Sequence, residues 1–198
     1  MDLKGKIALV TGSGHRIGQS IAIGLAERGC NIVLHYNSSV DQANESLHEI
    51  KAQGVGAIAI QADLREQSEL EKLFTDMDTR FDRLDILVNS AAIMERIDFL
   101  EVDTAAWYRT MALNLRAPFF CIQEAARRML PGKGVVINIS DIAGLRPWAR
   151  YPVHSISKAG IEMLTQVSAA VFAPDIRVNG VAPGPVMKPE FLDDDRWK

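Results

Sequence analysis

A chain of 198 residues with 47% hydrophobic and 24% charged residues has the size and composition of one folded domain, which excludes a disordered polypeptide. Its net charge of −3, with no Lys/Arg-rich run, argues against a nucleic-acid surface. No apolar stretch approaches the roughly 18 residues that cross a bilayer, and "MDLKGKIALVTG" enters a strand at once without a signal-peptide layout, so a cytoplasmic protein with no membrane partner is expected.

Short β-type runs alternate with helix-period segments. "KIALVT" (6–11) is a near-continuous apolar run, as expected of a strand covered on both faces. Ile17, Ile21 and Leu25 follow at helical spacing, and Gly29 ends that helix. "NIVLHY" (31–36) is the second strand, and Val40, Ala43, Leu47 and Ile50 mark the next helix. "GAIAIQAD" (56–63) is the third strand, followed by a helix through Leu70, Leu73, Phe74, Met77 and Phe81. "LDILVNSA" (84–91) is the fourth strand. A long helical region over about 104 to 130 carries Trp107, Met111 and Leu115, then a second stretch that ends at Pro131-Gly132. "GVVINIS" (134–140) is the fifth strand, a helix with Ile156, Gly160, Met163, Leu164 and Val167 follows His154, and "DIRVNGVAPG" (175–184) supplies a sixth strand and a turn.

Strand and helix alternating through short connections predict an α/β fold over 1–198, a single doubly wound domain with a parallel sheet and helices on both faces. Ligands of such sheets bind beyond the carboxyl ends of the strands. Gly12–Gly18, Asp63, Asn89–Ala92, Asp141 and Pro183–Gly184 all fall there. Cys30 and Cys121 stand apart in apolar surroundings without metal or redox spacing and are expected to be buried thiols, and no metal ion is expected.

"TGSGHRIG" (11–18) joins the first strand to the first helix. Glycines at such a turn let a phosphate approach the backbone, and the helix N-terminus favours its charge. The spacing, G-x-G-x-x-x-G, is not the common dinucleotide fingerprint, so its weight comes from its place after the first strand of an alternating chain. The second strand ends "HYNSS" (35–39), with no carboxylate of the kind that holds the 2′-hydroxyl of NAD. Arg16, helped by His35, Asn37 and Ser38, is the counter-ion expected for a 2′-phosphate, unless it is a solvated surface arginine. NADP(H) is therefore favoured over NAD(H).

With these residues in order, the chain resembles the short-chain dehydrogenase/reductase family over essentially its whole length. The resemblance is carried by "TGSGHRIG", "AD" (62–63), "NSAA" (89–92), "NLRAPF" (114–119), "INISD" (137–141), "HSISKAG" (154–160) and "RVNGVAPGPV" (177–186). It is most similar to the pteridine-reductase-like branch, through Arg16 in place of the second turn glycine, "LHYNSS", "QADL" and Asp141 in place of the usual catalytic serine. The resemblance implies that Gly12, Arg16, Ile17 and Gly18 surround the pyrophosphate, that Asp63 and Leu64 border the adenine, and that Asn89 and Ala91 lie along the inner ribose and nicotinamide. It implies that Asn114 anchors a water-mediated proton path to Lys158, that Lys158 binds the nicotinamide ribose and acidifies the proton donor, and that Pro183, Gly184 and Val186 cover the nicotinamide. It also implies a homo-oligomer, a dimer or tetramer built on the helices at about 112–130 and 154–173.

Two positions depart from the family. His154 stands where the family has its tyrosine, four residues before Lys158, and the chain ends at "FLDDDRWK", where the family continues into a substrate lid, a helix and a last strand. Histidine needs no adjacent cation to act as an acid near neutrality. Lys158 would depress its pKa and Asp141 would raise it. His154 is then the proton donor, or an orienting residue beside Asp141 or a water that donates, or a polar residue in a site that binds nucleotide without turnover. Tyr151 is expected in a wall or packing role. "LRPWARYP" (145–152) is either a rim for an aromatic or anionic substrate or an ordinary loop, and "DDDR" (193–196) a solvated helix start. The expected activity is hydride transfer to or from a carbonyl, alcohol or pterin-like C=N group of a small molecule. The competing expectation is a non-catalytic nucleotide-binding relative.

Overall fold

The structure, a computed structural model, describes residues 2–129 and 133–187. Six parallel strands, β1 (Ile7–Val10), β2 (Asn31–Tyr36), β3 (Ala57–Gln61), β4 (Ile86–Asn89), β5 (Gly134–Ile139) and β6 (Ile176–Val181), form one sheet in the order β3-β2-β1-β4-β5-β6. The helices are α1 (Arg16–Ala26), α2 (Val40–Ala52), α3 (Gln67–Asp78), α4 (Thr104–Met111), α5 (Ala117–Arg128) and α6 (Pro152–Phe172).

The alternation of side chains along each strand explains why both faces are covered. Leu9, Val33, Leu87 and Val136 point into one core, where Leu73, Phe74 and Met77 of α3, Ile122 of α5 and Ile161 of α6 meet them. Their neighbours Ala8, Val10, Ile32, Leu34, Ile86, Val88 and Val135 point into the other, against Ala22 and Ala26 of α1 and Ala43 and Ile50 of α2. Every residue of β1 and β4 is buried, which is why β1 reads as an unbroken apolar run and β4 as one broken only by its last residue, Asn89. The order reverses beside β1, which pairs with β2 on one side and β4 on the other, and the crevice outside that switch point is where the glycine turn sits.

The sequence reading of 104–130 as one helical region is refined. Between α4 and α5 the chain makes a π-helical turn, Ala112–Arg116, that carries Asn114. Single π turns of this kind recur at functional sites because they re-aim side chains without ending the helix. Phe81 lies past the end of α3 yet still packs on the core. Cys30 and Cys121 are buried, and burial pushes their thiols up to about 11 and about 12. Pro131-Gly132 and the 193–196 run lie outside the described residues.

Candidate active site

A cleft of about 450 Å³ opens at the carboxyl ends of the strands. One end is walled by the β1–α1 turn and by Asn37, Ser38, Asp63 and Leu64, and the other by Asp141, His154, Lys158, Pro183 and Gly184. The turn is shaped as a cradle. Gly12 has φ +64°, and a Cβ there would stand 2.7 Å from the Cα of Ala91. A Cβ on Gly18 would strike the carbonyl of Gly12. Neither position admits a side chain, which leaves the backbone at the mouth of α1 open to a phosphate group. Arg16 keeps the left-handed conformation of a glycine, φ +54°, and its Nη2 donates to the carbonyl of Met187 at 3.3 Å.

At the end of the cleft near β3, Arg65 grips the Asp63 carboxylate through Nε at 2.9 and 3.0 Å and Nη2 at 2.5 Å. That guanidinium holds Asp63 below the usual carboxylate range. Among the described residues lining the cleft, the carboxylates are Asp63 and Asp141. Among the described residues, the stretch that follows β2 into the cleft, Asn37 to Ser39, carries no carboxylate.

His35 lines the cleft with them but is occupied in another way. Its Nδ1 takes the N–H of Gly12 at 3.0 Å and its Nε2 meets the carbonyl of Ala62 at 3.0 Å. Burial pushes its pKa down to about 4, so the ring is neutral. The sequence reading offered it as a hydrogen-bonding partner of a 2′-phosphate, whereas both ring nitrogens are engaged inside the protein.

At the other end α6 begins at Pro152, whose missing N–H costs nothing at the first helical position. His154 and Lys158 follow one turn apart on the face toward the cleft, and both are buried. Lys158 Nζ donates to the carbonyl of Ile139 at 2.8 Å. Burial brings its pKa down to about 8, opposed by Asp141 and Glu162. His154 Nδ1 lies 3.2 Å from the carbonyl of Ile93, and its Nε2 lies 3.6 Å from Oδ2 of Asp141, too far for a hydrogen bond. Among the described residues, Nε2 has no hydrogen-bond partner. Of the two influences that the sequence sets against each other, the lowering side prevails. Burial first and Lys158 second pull the imidazole pKa down, against the Ile93 carbonyl and Asp141. Asp141 Oδ1 accepts the Ala143 N–H at 2.7 Å and caps a short 3₁₀ turn, Ile142–Gly144.

Three residues named from sequence do not line the cleft. Asn114 uses its side chain to clamp Ile93 at both polar atoms, 2.9 Å to the N–H and 2.8 Å to the carbonyl, and donates to Ser157 at 3.1 Å. Asn89 is buried in β4 with Nδ2 on Asn138, and Ser90 takes its place in the wall. Val186 is 61% exposed. Tyr151 packs edge-on against Trp148, ring centroids 5.9 Å apart, as a packing residue would. Sequence reasoning missed Ile93, Ile139 and Ala62, which act through backbone carbonyls, and Met94, a half-exposed wall residue.

A short chain dehydrogenase family model matches residues 6–196. The chain belongs to the short-chain dehydrogenase/reductase family. It is an NAD(P)-dependent oxidoreductase with the Rossmann-type sheet of that family. It is 37% identical over 181 residues to the 3-oxoacyl-acyl-carrier-protein reductase FabG of Staphylococcus aureus, covering 90% of this chain and 74% of that protein. The landomycin C-6 ketoreductase LanV, solved with bound NADP and rabelomycin, superposes with a TM-score of 0.87 at 33% identity, over 92% of this chain and 77% of that one. A dehydrogenase/reductase of Sinorhizobium meliloti 1021 gives 0.90 at 36% identity, over 98% and 80%. No helix among the described residues of this family member is long and apolar enough to cross a membrane.

Proposed function

We propose that this enzyme is an NADP(H)-dependent carbonyl reductase in which His154 is the proton donor. The observation that carries the reading is the buried Nε2 of His154, in the cleft wall one turn before Lys158 and without a hydrogen-bond partner among the described residues. The glycine cradle and the cleft fit a dinucleotide. Gly12, Ile17 and Gly18 would hold its pyrophosphate, and Arg16, Asn37 and Ser38 its 2′-phosphate. Asp63 and Leu64 would border its adenine, and Ala91, Lys158, Pro183 and Gly184 its nicotinamide end. NADPH, when bound, supplies the hydride. The NADP held by LanV supports the same cofactor here, as does the absence of a carboxylate among the described lining residues at the end of β2.

The protein's own part is position and a proton. The Ile93 carbonyl accepts from Nδ1, which fixes the proton of the neutral ring there and leaves Nε2 as the exchanging nitrogen. In reduction the Nε2–H bond breaks and an O–H bond forms on the substrate as negative charge grows on its oxygen. Lys158 makes the imidazolium a stronger acid, and Asp141 faces Nε2 from the other side and moderates that effect. Asn114 holds Ile93 in register, and its Nδ2 lies 3.5 Å from His154 Nδ1. The relatives that share the fold are named ketoreductases and reductases, so a ketone is the favoured acceptor. A pterin-like C=N group stays on the panel because of the likeness of "LHYNSS" and Asp141 to the pteridine-reductase branch. Exposed Met163, Val167 and Val171 on α6 and Phe119 on α5 support a homo-oligomer packed through those helices.

The test is NADPH oxidation by this chain and by His154→Ala and His154→Tyr, with ketones, quinones and pterins, over pH 5 to 9. Because reduction needs protonated His154, its rate falls as pH rises through a midpoint below the usual histidine value. His154→Ala loses at least about a hundredfold, and His154→Tyr moves the midpoint to the alkaline side. Cofactor binding without turnover in all three proteins overturns the reading and favours a nucleotide sensor.

A further inference from the structure

We infer that His35 is a positioning residue for the cofactor, a strut that ties the glycine turn to the adenine-side wall without touching the cofactor itself. This rests on the dinucleotide reading of the cleft.

β2 lies between β3 and β1, and His35 stands near its carboxyl end. The backbone of His35 already binds the turn. Its carbonyl accepts the Ser13 N–H at 2.9 Å, and its N–H donates to Ser13 Oγ at 3.1 Å. The ring adds what the strand ladder cannot. Nδ1 accepts the N–H of Gly12, the residue whose left-handed backbone shapes the cradle, at 3.0 Å. Nε2 donates to the carbonyl of Ala62 at 3.0 Å, and Ala62 directly precedes Asp63. One imidazole thus spans from the loop after β1 to the loop after β3. An N–H and a carbonyl on opposite sides require one acceptor and one donor nitrogen, which only the neutral ring protonated at Nε2 provides. The residue is 2% exposed, and the depressed pKa agrees with a permanently neutral strut. The ring therefore brings no charge to the 2′-phosphate end of the cleft, and discrimination for NADP falls to Arg16 with Asn37 and Ser38.

Two variants separate the halves of the strut. The Oδ1 of asparagine sits where Nδ1 does, so His35→Asn keeps an acceptor for Gly12 and loses the donor to Ala62. His35→Gln places an Nε2 donor toward Ala62 and leaves the Gly12 N–H unpaired. NADPH and NADH affinities are read by cofactor fluorescence, alongside melting temperatures. His35→Gln is expected to weaken both cofactors alike, by about tenfold, and His35→Asn by no more than about threefold, at similar losses of Tm. Equal losses in the two variants, or none in His35→Gln, overturn the proposal. A loss confined to NADPH also overturns it, because it would place the ring against the 2′-phosphate. If the wild-type protein binds neither cofactor, the dinucleotide reading fails, and the strut is judged on ¹⁵N NMR of the cofactor-free protein. An Nε2–H tautomer that does not titrate between pH 5 and 8, with a Gly12 amide resonance that shifts in His35→Gln more than in His35→Asn, supports it. An Nδ1–H tautomer refutes it.

Discussion

At Lys158 function and stability pull in opposite directions. The ammonium is 5% exposed and donates to one backbone carbonyl, and burial brings its pKa from 10.5 to about 8. At pH 7 folded and unfolded chains both carry its proton, so the folded protein bears the full cost of a buried charge. Lys158→Met should therefore abolish turnover and raise Tm by a few degrees. The sign can be checked on the alkaline side. Above pH 8 the folded protein sheds the proton while the unfolded chain keeps it until 10.5, so wild-type stability climbs and the gap to Lys158→Met closes. A variant less stable than wild type at pH 7 would show that the Ile139 hydrogen bond outweighs the burial penalty. Arg16 makes a parallel case. It holds a left-handed backbone, which costs a non-glycine residue about 1–2 kcal/mol. Arg16→Gly removes that strain at the price of glycine's chain entropy, so Tm should hold or rise. NADPH binding should weaken about tenfold or more while NADH binding changes little.

The elements show which parts of this molecule are legible in a sequence and which are not. β1, β2, β4 and β5 declare themselves because strands covered on both faces are predominantly apolar, and the α3 and α6 stripes because their residues recur every turn. The π turn at Ala112–Arg116 leaves no such mark, since its residues belong to any helix and the extra residue is recognised only by its hydrogen bonds. The candidate site divides in the same way. Gly12, Gly18, His154 and Lys158 stand out by type and spacing, whereas the carbonyls of Ile93, Ile139 and Ala62 that orient His154, Lys158 and His35 belong to residues with no polar side chain. His35 was legible as a polar group at a strand end, but the partners that occupy it depend on which strands lie beside β2, and only the sheet order supplies that. The β1–α1 turn carries its own prediction. A methyl on Gly18 would meet backbone at Gly12 and Ser13, and neither can swing aside as a side chain could. Gly18→Ala should lose cofactor binding and destabilise the fold by about 1–3 kcal/mol, measured by urea denaturation. Gly54→Ala serves as the comparison: its added Cβ meets nothing within 4 Å, so it bears only the strain of φ +77° and should leave cofactor binding intact.

For the whole molecule, two histidines tie stability to acid. His35 titrates at about 4 in the folded protein, against 6.5 for an ordinary imidazole. Between those values the unfolded chain binds a proton that the folded one refuses, so stability falls as pH drops from 6.5 to 4, by on the order of 3 kcal/mol for His35 alone. His154, also shifted down, adds to the fall as pH drops below 6.5. Asp63 works in a separate range, because its lowered pKa yields stability that is lost only below its ordinary value of 3.8. A chain whose only relevant groups were carboxylates would hold its stability down to about pH 5. This one should lose it earlier, and His35→Asn should flatten the slope between pH 6.5 and 4 even though it lowers stability at pH 7. Saturating NADPH provides the complementary test, because its binding opposes unfolding at every pH where the cleft is intact. At a hundred times its dissociation constant it contributes about 2.7 kcal/mol, which for a chain of this length corresponds to a rise in Tm of about 5–10 °C. Melting curves taken with and without NADPH from pH 7 down to pH 4.5 should run parallel if the glycine turn keeps its shape. Curves that converge before the protein unfolds would show the His35 strut opening ahead of the sheet that carries it.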